Sequence, residues 1–565
     1  MAIIGIDLGT TTCEVSYMRD GKPFLIPGPD GKDIFTSAIA IDNKTKELLI
    51  GELAKRMLPI GSKWAVEEIK RLMGSDEKRI LGDRELSPIE LSAILLKHLK
   101  KSAEEFVREP CDRVVITVPA NFEDKARNDT KLAGELAGFK VERIVNEPTA
   151  AALVLESTEA KNQHLLVFDL GGGTFDVSII ERNEGVLEVK SSSGDRKLGG
   201  KDFDRALAQY VRSSFLDEHG VDIFEDKEAY FNLLHACEVA KKELSYSLNT
   251  SITIPNIASK DGKPLNLDHE ISRVQFESLI AEKITATENA INDALSGAKP
   301  KLSMENIDLV LLIGGSTRIP FVREFVNSKV GDTPVSYSDV DPERAVAMGA
   351  ALQASIIDGD TDTIIMDCVP FSLGTSVISI IDGREIPGLY SEVIPANSPM
   401  QRQFNGTFLT VFEDQESVLV EVIQKSGQND SIWAKDHLLL GSEELSDIPP
   451  GPAGQEIEVS FLYNLNGLLD VKAKMVSGGQ KIDFKVDSGN RRQISEEEFN
   501  RIWEQSEHAK KVKTTIQIAE KRLTTIEHEE LKGKVQLLKE AVISGDQELI
   551  AKLDDEINDL LFDMD

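Results

Sequence analysis

The chain lacks several features that mark special classes of protein. Its 4 cysteines are far apart among 565 residues and form no CxxC pair, which excludes a disulfide framework and argues against a zinc site. No run approaches the roughly 18 apolar residues of a membrane-spanning helix. Basic residues are outnumbered by acidic ones, 64 to 96, and the net charge of -32 repels a nucleic-acid backbone. We therefore expect a protein of the reducing cytoplasm that binds neither membrane nor nucleic acid.

Short β-branched runs alternate with helical patterns in the first two thirds of the chain. Residues 3–8, 113–118 and 309–313 are apolar as buried strands are, whereas 88–107 and 124–138 have helical periodicity. This alternation of strand and helix predicts an α/β architecture. At roughly 100–200 residues per domain, the length allows three or four domains.

The remaining third of the chain changes its pattern three times. An acidic stretch with a short apolar clip at 364–366 predicts an interdomain linker that makes contacts of its own. Alternating strands on both sides of Asn466–Gly467 predict a hairpin in an all-β module. A capping box at 495–498 starts a long amphipathic helix, and Gly533 is expected to interrupt the helical structure that follows. The predicted boundaries are an α/β module at 1–357, a linker at 358–368, a β module at 369–490 and a short helical module at 491–565.

The most informative feature is a glycine-rich turn that occurs twice. Gly5–Thr11 resembles Phe168–Thr174, and each segment places Asp, then Gly, then Thr at the end of a buried strand. Glycines without a Cβ let backbone N–H groups approach phosphate oxygens, and the threonine hydroxyls add donors. Two copies predict two similar lobes that hold one nucleotide from opposite sides. The Walker sequence is absent, which excludes a P-loop protein.

The aspartates of the two turns predict a cation. Asp7 and Asp169 are 162 residues apart in the chain, at equivalent positions of the two turns. A carboxylate beside a polyphosphate is repulsive unless a cation stands between them. We therefore expect Mg²⁺ there, held through water because Mg²⁺ dehydrates reluctantly, with K⁺ as a second candidate.

Other segments fit the same nucleotide cleft. The strand at 309–313 is followed by another glycine turn at 314–318. Lys70 suits a γ-phosphate and Glu147 suits the orientation of a water, although an isolated lysine is commonly a surface residue. A solvated helix face is the alternative for four residues at helical spacing whose shared face suits a ribose and a purine. These four are Glu238, Lys241, Lys242 and Ser245.

Taken together, these segments resemble the DnaK-type chaperones of the heat-shock seventy family. The motifs IDLGTT, VPANF, VNEPTAAA, FDLGGGTFD, LGGKDFD and LIGGSTRIP occur in the family's order and spacing. The resemblance continues through SLG, NGLLDVKA and QISEEEF and so covers nearly the whole chain. The short helical end resembles the compact bacterial HscC branch. The resemblance implies a two-lobed actin-like (ribonuclease H-like) ATPase domain, a β-sandwich that binds peptides, and a short helical lid.

The family's nucleotide site carries over onto matching positions of this sequence. Asp7 and Asp169 match the carboxylates around Mg²⁺ and its waters. Lys70, Glu147, Asp169 and Thr174 match the residues of the hydrolysis step. The positions that match the binding of ATP or ADP are Gly9, Thr10, Thr11, Thr12, Gly171, Gly172, Gly173, Thr174, Gly199, Gly200, Glu238, Lys241, Lys242, Ser245, Gly314, Gly315, Ser316, Arg318 and Asp341.

The resemblance also implies partners and a relay between the modules. Pro119 and Arg127 match a relay between the nucleotide and the linker. A J-domain co-chaperone and a nucleotide exchange factor are the implied protein partners. Positions matching the linker and the J-domain contact are Arg143, Asn146, Thr149, Ile364, Ile365, Met366 and Asp367.

The implied ligand of the β module is an unfolded or extended hydrophobic peptide. Its pocket is predicted from Ile378, Leu409, Phe412 and Leu419, which also fit plain sandwich core. Phe412 would narrow the pocket. The helical module is shorter than the family's usual lid and tail, which predicts fast peptide exchange.

The predicted function is that of an ATP-dependent chaperone in which ATP hydrolysis controls peptide capture through the linker. Two rivals share an actin-like cleft: a small-molecule kinase, which would leave the β and helical modules unexplained, and a filament-forming ATPase, which the net charge disfavours. A chaperone that binds ATP but barely hydrolyses it is a third alternative, and the presence of Lys70, Glu147 and Thr174 argues against it.

Overall fold

A computed structural model provides the structure of the chain. The residues that it describes are 2–28, 31–60, 63–157, 163–183, 186–336, 341–359, 364–381, 384–425, 431–464, 469–477, 479, 481–485, 512, 515–516, 518–523, 528–544 and 547–563. None of the helices in this described part is long and apolar enough to cross a membrane.

Strands and helices alternate through residue 358, as the apolar pattern predicts. The strands of this part are β1 (Ile3–Leu8), β2 (Thr12–Arg19), β3 (Lys22–Leu25), β4 (Phe35–Thr36), β5 (Ala38–Ile41), β6 (Leu48–Ile50), β7 (Ala65–Glu67), β8 (Arg79–Leu81), β9 (Arg84–Leu86), β10 (Arg113–Val118), β11 (Lys140–Asn146), β12 (Gln163–Leu170), β13 (Phe175–Asn183), β14 (Val186–Asp195), β15 (Asn249–Lys260), β16 (Lys263–Ser272), β17 (Leu309–Ile313) and β18 (Val335–Ser336). The helices are α1 (Glu52–Lys55), α2 (Pro88–Val107), α3 (Asp124–Leu136), α4 (Glu147–Leu153), α5 (Gly200–His219), α6 (Lys227–Leu244), α7 (Arg273–Gly297), α8 (Pro320–Val330) and α9 (Ala345–Asp358).

After residue 358 the described elements are strands and then helices. The strands are β19 (Ile364–Met366), β20 (Cys368–Val369), β21 (Leu373–Ile381), β22 (Arg384–Ile394), β23 (Ser398–Pro399), β24 (Gln403–Leu409), β25 (Val418–Gln424), β26 (Leu438–Leu445), β27 (Glu456–Tyr463), β28 (Leu469–Met475) and β29 (Lys481–Lys485). The helices are α10 (Glu529–Ser544) and α11 (Gln547–Asp563).

Two sheets of the first part have the same plan, which confirms that the glycine turn belongs to a structural duplication. The first sheet has the order β11-β10-β1-β2-β3, with β4 beside β2, and the second has the order β18-β17-β12-β13-β14-β19. In each sheet the strand before the turn pairs in parallel with one neighbour and antiparallel with the strand after the turn. The glycine turn therefore occupies the equivalent position in both sheets.

Helices α4 and α9 pack between the two sheets and join their cores. A Cβ at Gly5 of β1 would lie 2.4 Å from the Ala351 nitrogen of α9, and a Cβ at Gly349 would lie 1.7 Å from the Ala150 oxygen of α4. Only glycine permits backbones to approach this closely. The buried alanines of α4 and α9 share one apolar cluster with β12, β17 and Cys368. This packing fixes the distance between the two turns.

The linker strand β19 is the edge strand of the second sheet. Val186, Leu187 and Glu188 of β14 pair in parallel with Ile364, Ile365 and Met366. Ile365 packs against the apolar cluster between the sheets, whereas Ile364 is 56% exposed. The predicted contacts of the apolar clip are thus present, and they are made with the α/β part of the chain.

The β module is a sandwich of two antiparallel four-stranded sheets. Their orders are β22-β21-β25-β26 and β24-β27-β28-β29. Inward residues of both sheets, such as Val422 and Phe461, form one buried core. The predicted hairpin is formed by β27 and β28, which pair from Ile457 with Met475 to Tyr463 with Leu469. Its turn at Asn466–Gly467 lies outside the described residues.

The helical module is described only in part. Helices α10 and α11 pack on each other through Leu531, Leu538 and Ile557, and Val512 and Ala519 belong to the same cluster. The expectation that Gly533 interrupts a helix is wrong, because α10 runs through it. Gly533 is exposed and has nothing near its missing Cβ, so it costs only the intrinsic preference of about 1 kcal/mol. The capping box at 495–498 lies outside the described residues.

Candidate functional site

The two glycine turns line one cavity of about 560 Å³ between the two sheets. The turn after β1 contributes its threonines, and the turn after β12 contributes glycines and Thr174. Most of the predicted nucleotide residues meet here, from segments spread over more than 300 residues of sequence. Those that line the cavity are Asp7, Gly9, Thr10, Thr11, Thr12, Lys70, Glu147, Asp169, Gly171, Gly172, Thr174, Gly200, Glu238, Lys241, Lys242, Ser245, Gly314, Gly315, Ser316 and Arg318.

Three predicted residues lie beside the cavity without lining it: Gly173, Gly199 and Asp341. The Gly173 carbonyl accepts hydrogen bonds from the Arg71 guanidinium at 2.8 and 3.1 Å. Asp341 accepts a hydrogen bond from Arg318 at 2.6 Å and so orients a side chain that does line the cavity. Gly199 packs against the second turn, where a Cβ would lie 2.5 Å from the Gly173 nitrogen.

The glycines of the second turn are required because the two turns touch. A Cβ at Gly172 would lie 2.3 Å from the Thr11 hydroxyl oxygen, and one at Gly173 would lie 2.5 Å from the Thr10 methyl carbon. Such distances are far below van der Waals contact. The turns therefore approach one another with their backbones exposed toward the cavity, as an anion cradle requires.

Lys70 and Glu147 form a buried ion pair on one wall of the cavity. Lys70 lies in a short 3₁₀ turn, Ile69–Leu72, and Glu147 is the first residue of α4. Burial alone would lower the pKa of Lys70, but the Glu147 and Asp7 carboxylates outweigh it, and the pKa of Lys70 lies above its ordinary value. The ammonium therefore stays charged and points into the site.

Several buried carboxylates surround this pair. Burial, followed by the charges of Glu147, Asp176 and Asp7, raises the pKa of Asp169 well above its ordinary value. The Asp7 carboxylate accepts a hydrogen bond from Thr117 at 2.7 Å. Among the described residues no three Asp, Glu, His or Cys side chains are close enough to hold a metal alone. Carboxylate oxygens are nevertheless ligands that Mg²⁺ prefers, and the remaining ligands would be water and phosphate.

The four residues predicted to share a helix face do so at the C-terminal end of α6. Glu238 bonds to Lys55 at 2.7 Å and to Lys242 at 2.8 Å, and Lys241 bonds to the Gly200 carbonyl at 2.9 Å. Burial raises the pKa of Glu238, but Lys55, Lys201 and Lys242 lower it by more, so that it lies well below its ordinary value. A solvated face of ordinary charges, the alternative reading, does not describe this face, since Glu238 is buried in the cavity wall.

Ion pairs join the two lobes across the cavity. Lys55 of α1 bonds to Glu238, and Lys201 of α5 bonds to Glu67 at 2.9 Å. Arg71 bonds to Asp202 at 2.6 Å. The partners in each pair come from different lobes, so these bonds form only when the cavity is closed. Separation of the lobes would break these ion pairs, so the pairs stabilise the closed cavity.

Sequence reasoning missed several residues that line the cavity. Most have no signal in the sequence, because only the approach of the two lobes brings them together. Glu14 is the exception: it follows Asp7 by seven positions, as Asp176 follows Asp169. The missed lining residues are Glu14, Thr36, Glu52, Lys55, Lys201, Asp204, Tyr246, Ile313, Ile319, Pro342, Glu343 and Val346.

The predicted relay and partner residues gather beneath the linker. Asp367 is half-buried, and the Thr149 hydroxyl donates a hydrogen bond to it at 3.4 Å. Burial raises the pKa of Asp367, and the charge of Arg127 and hydrogen bonds from Asn146 and Thr149 oppose the rise. Arg127 in turn bonds to the Asn146 side chain and to the Ala120 and Phe122 carbonyls.

Accessibility separates the predicted partner residues into two groups. Asn146 and Thr149 are buried under the linker, so in this arrangement they contact the chain itself. Arg143 is half-buried and lines a small gap beside Ile365 and Asp367. Contact with a J-domain stays a prediction for all of them; Arg143 and Asp367 are partly exposed here, whereas Asn146 and Thr149 are not.

The four residues predicted to bind peptide are exposed apolar side chains. Leu409 and Leu419 are each 57% exposed, Phe412 is 53% exposed and Ile378 is 38% exposed. They do not belong to the sandwich core, which is the alternative that the sequence left open. Leu409 ends β24 and Leu419 lies at the start of β25, so these two flank the loop 410–417, and Phe412 lies within the loop.

The ladder between β21 and β25 stops before it reaches two of these residues. It pairs Leu373 with Gln424 and Gly374 with Ile423. Continued in register, the next steps would bring Ile378 opposite Leu419. The strand pairing ends before these positions, and the Ile378 and Leu419 side chains are exposed. An extended peptide needs such unpaired backbone and exposed apolar side chains.

The sandwich also contacts the α/β part directly. The Tyr463 hydroxyl at the end of β27 donates to the Asp124 carboxylate at 3.3 Å, and both residues are buried. Burial raises the pKa of Asp124 to about 7, although Tyr463 and Arg127 act to lower it. Asn397, between β22 and β23, accepts a bond from the Ser192 nitrogen at 3.2 Å. The sandwich and the linker are thus both docked on the α/β part.

Comparison with known proteins gives one consistent result. The family model described as Hsp70 protein matches residues 3–82 and 77–564. A chaperone protein DnaK from Thermosipho melanesiensis is 41% identical over 510 residues, which are 89% of this chain and 82% of the relative. A chaperone protein DnaK from Thermosipho africanus is 38% identical over 585 aligned positions, covering 98% of this chain and 95% of the relative. The chain belongs to the Hsp70 protein family.

Proposed function

We propose that this Hsp70 family member is an ATP-dependent molecular chaperone that binds unfolded polypeptides and hydrolyses ATP. The observation that carries the proposal is the single cavity in which both glycine turns, the Lys70–Glu147 pair and the α6 face meet. The similarity to the DnaK relatives, which covers 82% and 95% of their lengths, supports it. Nothing in the described residues or the comparisons favours a small-molecule kinase or a filament.

We assign each proposed role to one of the four parts whose boundaries the sequence predicts. Residues 1–357 would form the two-lobed actin-like ATPase domain, 358–368 the linker, 369–490 the peptide-binding sandwich and 491–565 the short lid. The duplicated sheets support the first assignment, and the two packed four-stranded sheets support the third. Unfolded polypeptides and co-chaperones are the partners of such a protein, with a J-domain protein and an exchange factor as the specific proposals. A cytoplasmic location stays a prediction.

ATP binding is assigned to the two turns and the α6 face. Backbone N–H groups of the turns and the hydroxyls of Thr10, Thr11 and Thr174 would hold the phosphates. The face of α6 with the turn at 314–318 would hold the adenosine. Mg²⁺, when bound, neutralises phosphate charge, and Asp7 and Asp169 are the residues that would hold it through water.

Hydrolysis is assigned to Lys70, Glu147 and Thr174. Transfer of a phosphoryl group to water requires positioning and charge stabilisation more than covalent chemistry. The Lys70 ammonium, which its carboxylate neighbours keep charged, would stabilise the γ-phosphate oxygens. Glu147 and Thr174 would orient the attacking water. Burial of the Lys70–Glu147 pair supports these roles, since charges act more strongly where water is excluded.

Coupling between the two ligands is assigned to the linker. The docked linker would correspond to an open, fast-exchanging peptide site, and its release to a closed one. Two observations agree with the open state: β19 is paired with β14, and the β21–β25 ladder stops early. The short lid would speed exchange further. A rate of labelled-peptide release as slow as that of relatives with a full lid would contradict this part of the proposal.

The decisive experiment is steady-state ATP hydrolysis with and without an unfolded hydrophobic peptide. We expect slow basal turnover that the peptide stimulates. A Thr174→Ala variant serves as a control, because it should lower both rates. Absence of turnover, or turnover unchanged by peptide at any concentration, would contradict the proposal. Phosphorylated sugar as a product, or sedimentation with ATP, would favour the rival functions.

A further inference from the structure

Tyr246 is an aromatic residue of the nucleotide cavity to which neither the motifs nor the family resemblance assigned a role. It lines the cavity, yet it is 74% exposed. Aromatic side chains usually bury much of their large apolar surface in a folded protein. The ring of Tyr246 is therefore an uncovered surface at the edge of a ligand site, which a bound ligand can cover.

Tyr246 continues the face of α6 that is proposed to hold the adenosine. Glu238 and Lys242 of that face are four residues apart and form an ion pair at 2.8 Å, and Tyr246 lies four residues farther on. The helix ends at Leu244, but the backbone of Ser245 is still helical, with φ -69° and ψ -24°. Helical spacing therefore keeps Tyr246 on the same side as the other two, and its ring extends the cavity wall.

The backbone that carries Tyr246 is fixed to the second lobe. Leu244, two residues before it, is buried in the core of that lobe. The Arg273 side chain donates to the Leu244 carbonyl at 2.7 Å, and the Arg273 nitrogen donates to the Leu248 carbonyl at 2.8 Å. The Tyr246 nitrogen donates to the Glu243 carbonyl at 2.9 Å. A ligand therefore meets a ring whose place in the wall is already set, which reduces the entropy lost on binding.

Arg318 is a second planar side chain that lines the cavity. It bonds to Asp341 at 2.6 Å and to Glu343 at 3.2 Å, and these bonds orient its guanidinium. Burial lowers the pKa of Arg318, but the two carboxylates and, after them, the Tyr246 phenol raise it above its ordinary value. The ring and the guanidinium are thus close enough for an electrostatic interaction. Both kinds of group stack on flat ligands, so together they suit a planar base.

We propose that Tyr246 stacks on the base of the bound nucleotide and makes the site select a purine. The base lies between the α6 face and the turn at 314–318, with Tyr246 on the side of α6. A purine has two fused rings and covers more of the tyrosine than the single ring of a pyrimidine does, so it buries more apolar surface. This inference deepens the proposed ATP site and rests on it, since it names a residue that recognises the base rather than the phosphates.

The test is calorimetric titration of the full-length chain with ADP and with CDP, which carry the same ribose and diphosphate. We expect the wild type to prefer ADP. Tyr246→Ala should bind ADP about tenfold more weakly, because the stacked surface is lost, and CDP less than about threefold more weakly. Tyr246→Phe, which keeps the ring, should retain the ADP affinity of the wild type.

The matched control is Leu248→Ala, because Leu248 is 69% exposed on the same segment and does not line the cavity. Its affinities for both nucleotides should equal those of the wild type. Unchanged ADP affinity in Tyr246→Ala, or an equal loss for ADP and CDP, would overturn the proposal. So would a loss in Tyr246→Phe as large as that in Tyr246→Ala, since the hydroxyl and not the ring would then be the contact.

Fluorescence provides a second readout that reports contact with the base directly. ADP should quench the emission of Tyr246→Trp beyond any change in the 3 native tryptophans, which the wild type measures. Leu248→Trp, the control, should show no added quenching. Equal signals from the two variants would contradict stacking at Tyr246.

These outcomes can be separated from those that test the chaperone function. A wild-type chain that hydrolyses ATP with peptide stimulation, while Tyr246→Ala binds ADP normally, would overturn only the inference. A chain that binds ADP through Tyr246 but does not hydrolyse ATP would support the inference and contradict the proposed function.

Discussion

The nucleotide cavity and the peptide face of the sandwich are built in opposite ways. The cavity is lined by buried polar groups that bond to one another, such as Lys70 with Glu147 and Lys55 with Glu238. The peptide face consists of exposed apolar side chains, such as Leu409 and Leu419, that contact little else. One region is proposed to bind a polyanion of fixed shape, and the other to bind apolar segments of many sequences.

The difference reflects the free-energy cost of each site when no ligand is bound. Buried charges without partners are costly, and Lys55, Lys70 and Lys201 of the cavity each form an ion pair with a carboxylate. Exposed leucines cost little in water, so the peptide face needs no such pairing. We therefore expect substitutions in the cavity to have large, specific effects on chemistry, and substitutions on the peptide face to have moderate effects on affinity.

The largest effect is expected from Lys70→Ala. Removal of the buried ammonium leaves the γ-phosphate without its charge partner, so single-turnover hydrolysis should slow by about 100- to 1,000-fold. Lys242→Ala is the matched control, because Lys242 lines the same cavity at the α6 face and its side chain is 67% exposed. Because Lys242 belongs to the face proposed to hold adenosine, the control should bind ATP more weakly, whereas its hydrolysis of bound ATP at saturating concentration should be near that of the wild type. Equal losses in both variants would mean that the cavity responds only to net charge.

The next effect concerns the strand that connects the two regions. Ile365→Asp would place a carboxylate in the apolar cluster between the sheets, and docking of the linker should weaken by about 2 kcal/mol. ATP binding should persist, whereas peptide stimulation of hydrolysis should be lost. Ile364→Asp is the control, since Ile364 is paired at the same strand but exposed. If peptide still stimulates hydrolysis in Ile365→Asp, docking of the linker does not couple the two regions.

A smaller effect is expected on the peptide face itself. Leu419→Ser removes apolar surface beside the opened ladder, and peptide affinity measured by fluorescence anisotropy should fall about tenfold. Basal ATP hydrolysis and thermal stability should not change, because the side chain is exposed. Val476→Ser, at another exposed position of the sandwich, should leave affinity unchanged. If both variants bind peptide normally, the peptide site lies elsewhere.

The smallest effect is a pH dependence of the contact between the regions. Burial raises the pKa of Asp124 to about 7, although Tyr463 and Arg127 act to lower it, and this is above the ordinary value that Asp124 regains when exposed. Docking therefore takes up a proton, and docking is favoured at low pH and weakened as pH rises toward 7. Between pH 6 and pH 8 we expect a loss of roughly 1 kcal/mol. Fluorescence transfer between labels on the two parts measures it, and Asp124→Asn should abolish the dependence in that window.

Much of the fold and of the cavity was predictable from local sequence. The strand β1 and helix α2 have the bounds that their apolar patterns predict, because both patterns are strong and end at recognisable caps. The glycine turns were predictable since their chemistry is local: Asp, Gly and Thr at a strand end. Gly533 was misread because an exposed helical position tolerates glycine, which the sequence alone does not reveal.

Other features depended on contacts between distant segments. The sequence indicated an apolar clip at the linker but not that β14 would receive it, since many edge strands offer the same hydrogen bonds. The sequence did not decide whether Leu409 and Leu419 lie in the core or on the surface, because core residues and peptide-binding residues are both apolar. The contact of Tyr463 with Asp124 joins residues 339 positions apart, and no local pattern predicts it.

By itself, the amino-acid sequence determined the duplicated turns, the order of α/β, linker, β and helical parts, and which residues are predicted to hold phosphates. These follow from periodicity and from the chemistry of short segments. Only the tertiary structure decided that Lys55 and Lys201 form ion pairs across the cavity, that Glu14 lies opposite Asp7 inside it, and that the linker strand pairs with the edge of the second sheet. Such features arise where distant segments of the chain come into contact, and the free energy of a contact depends on both segments.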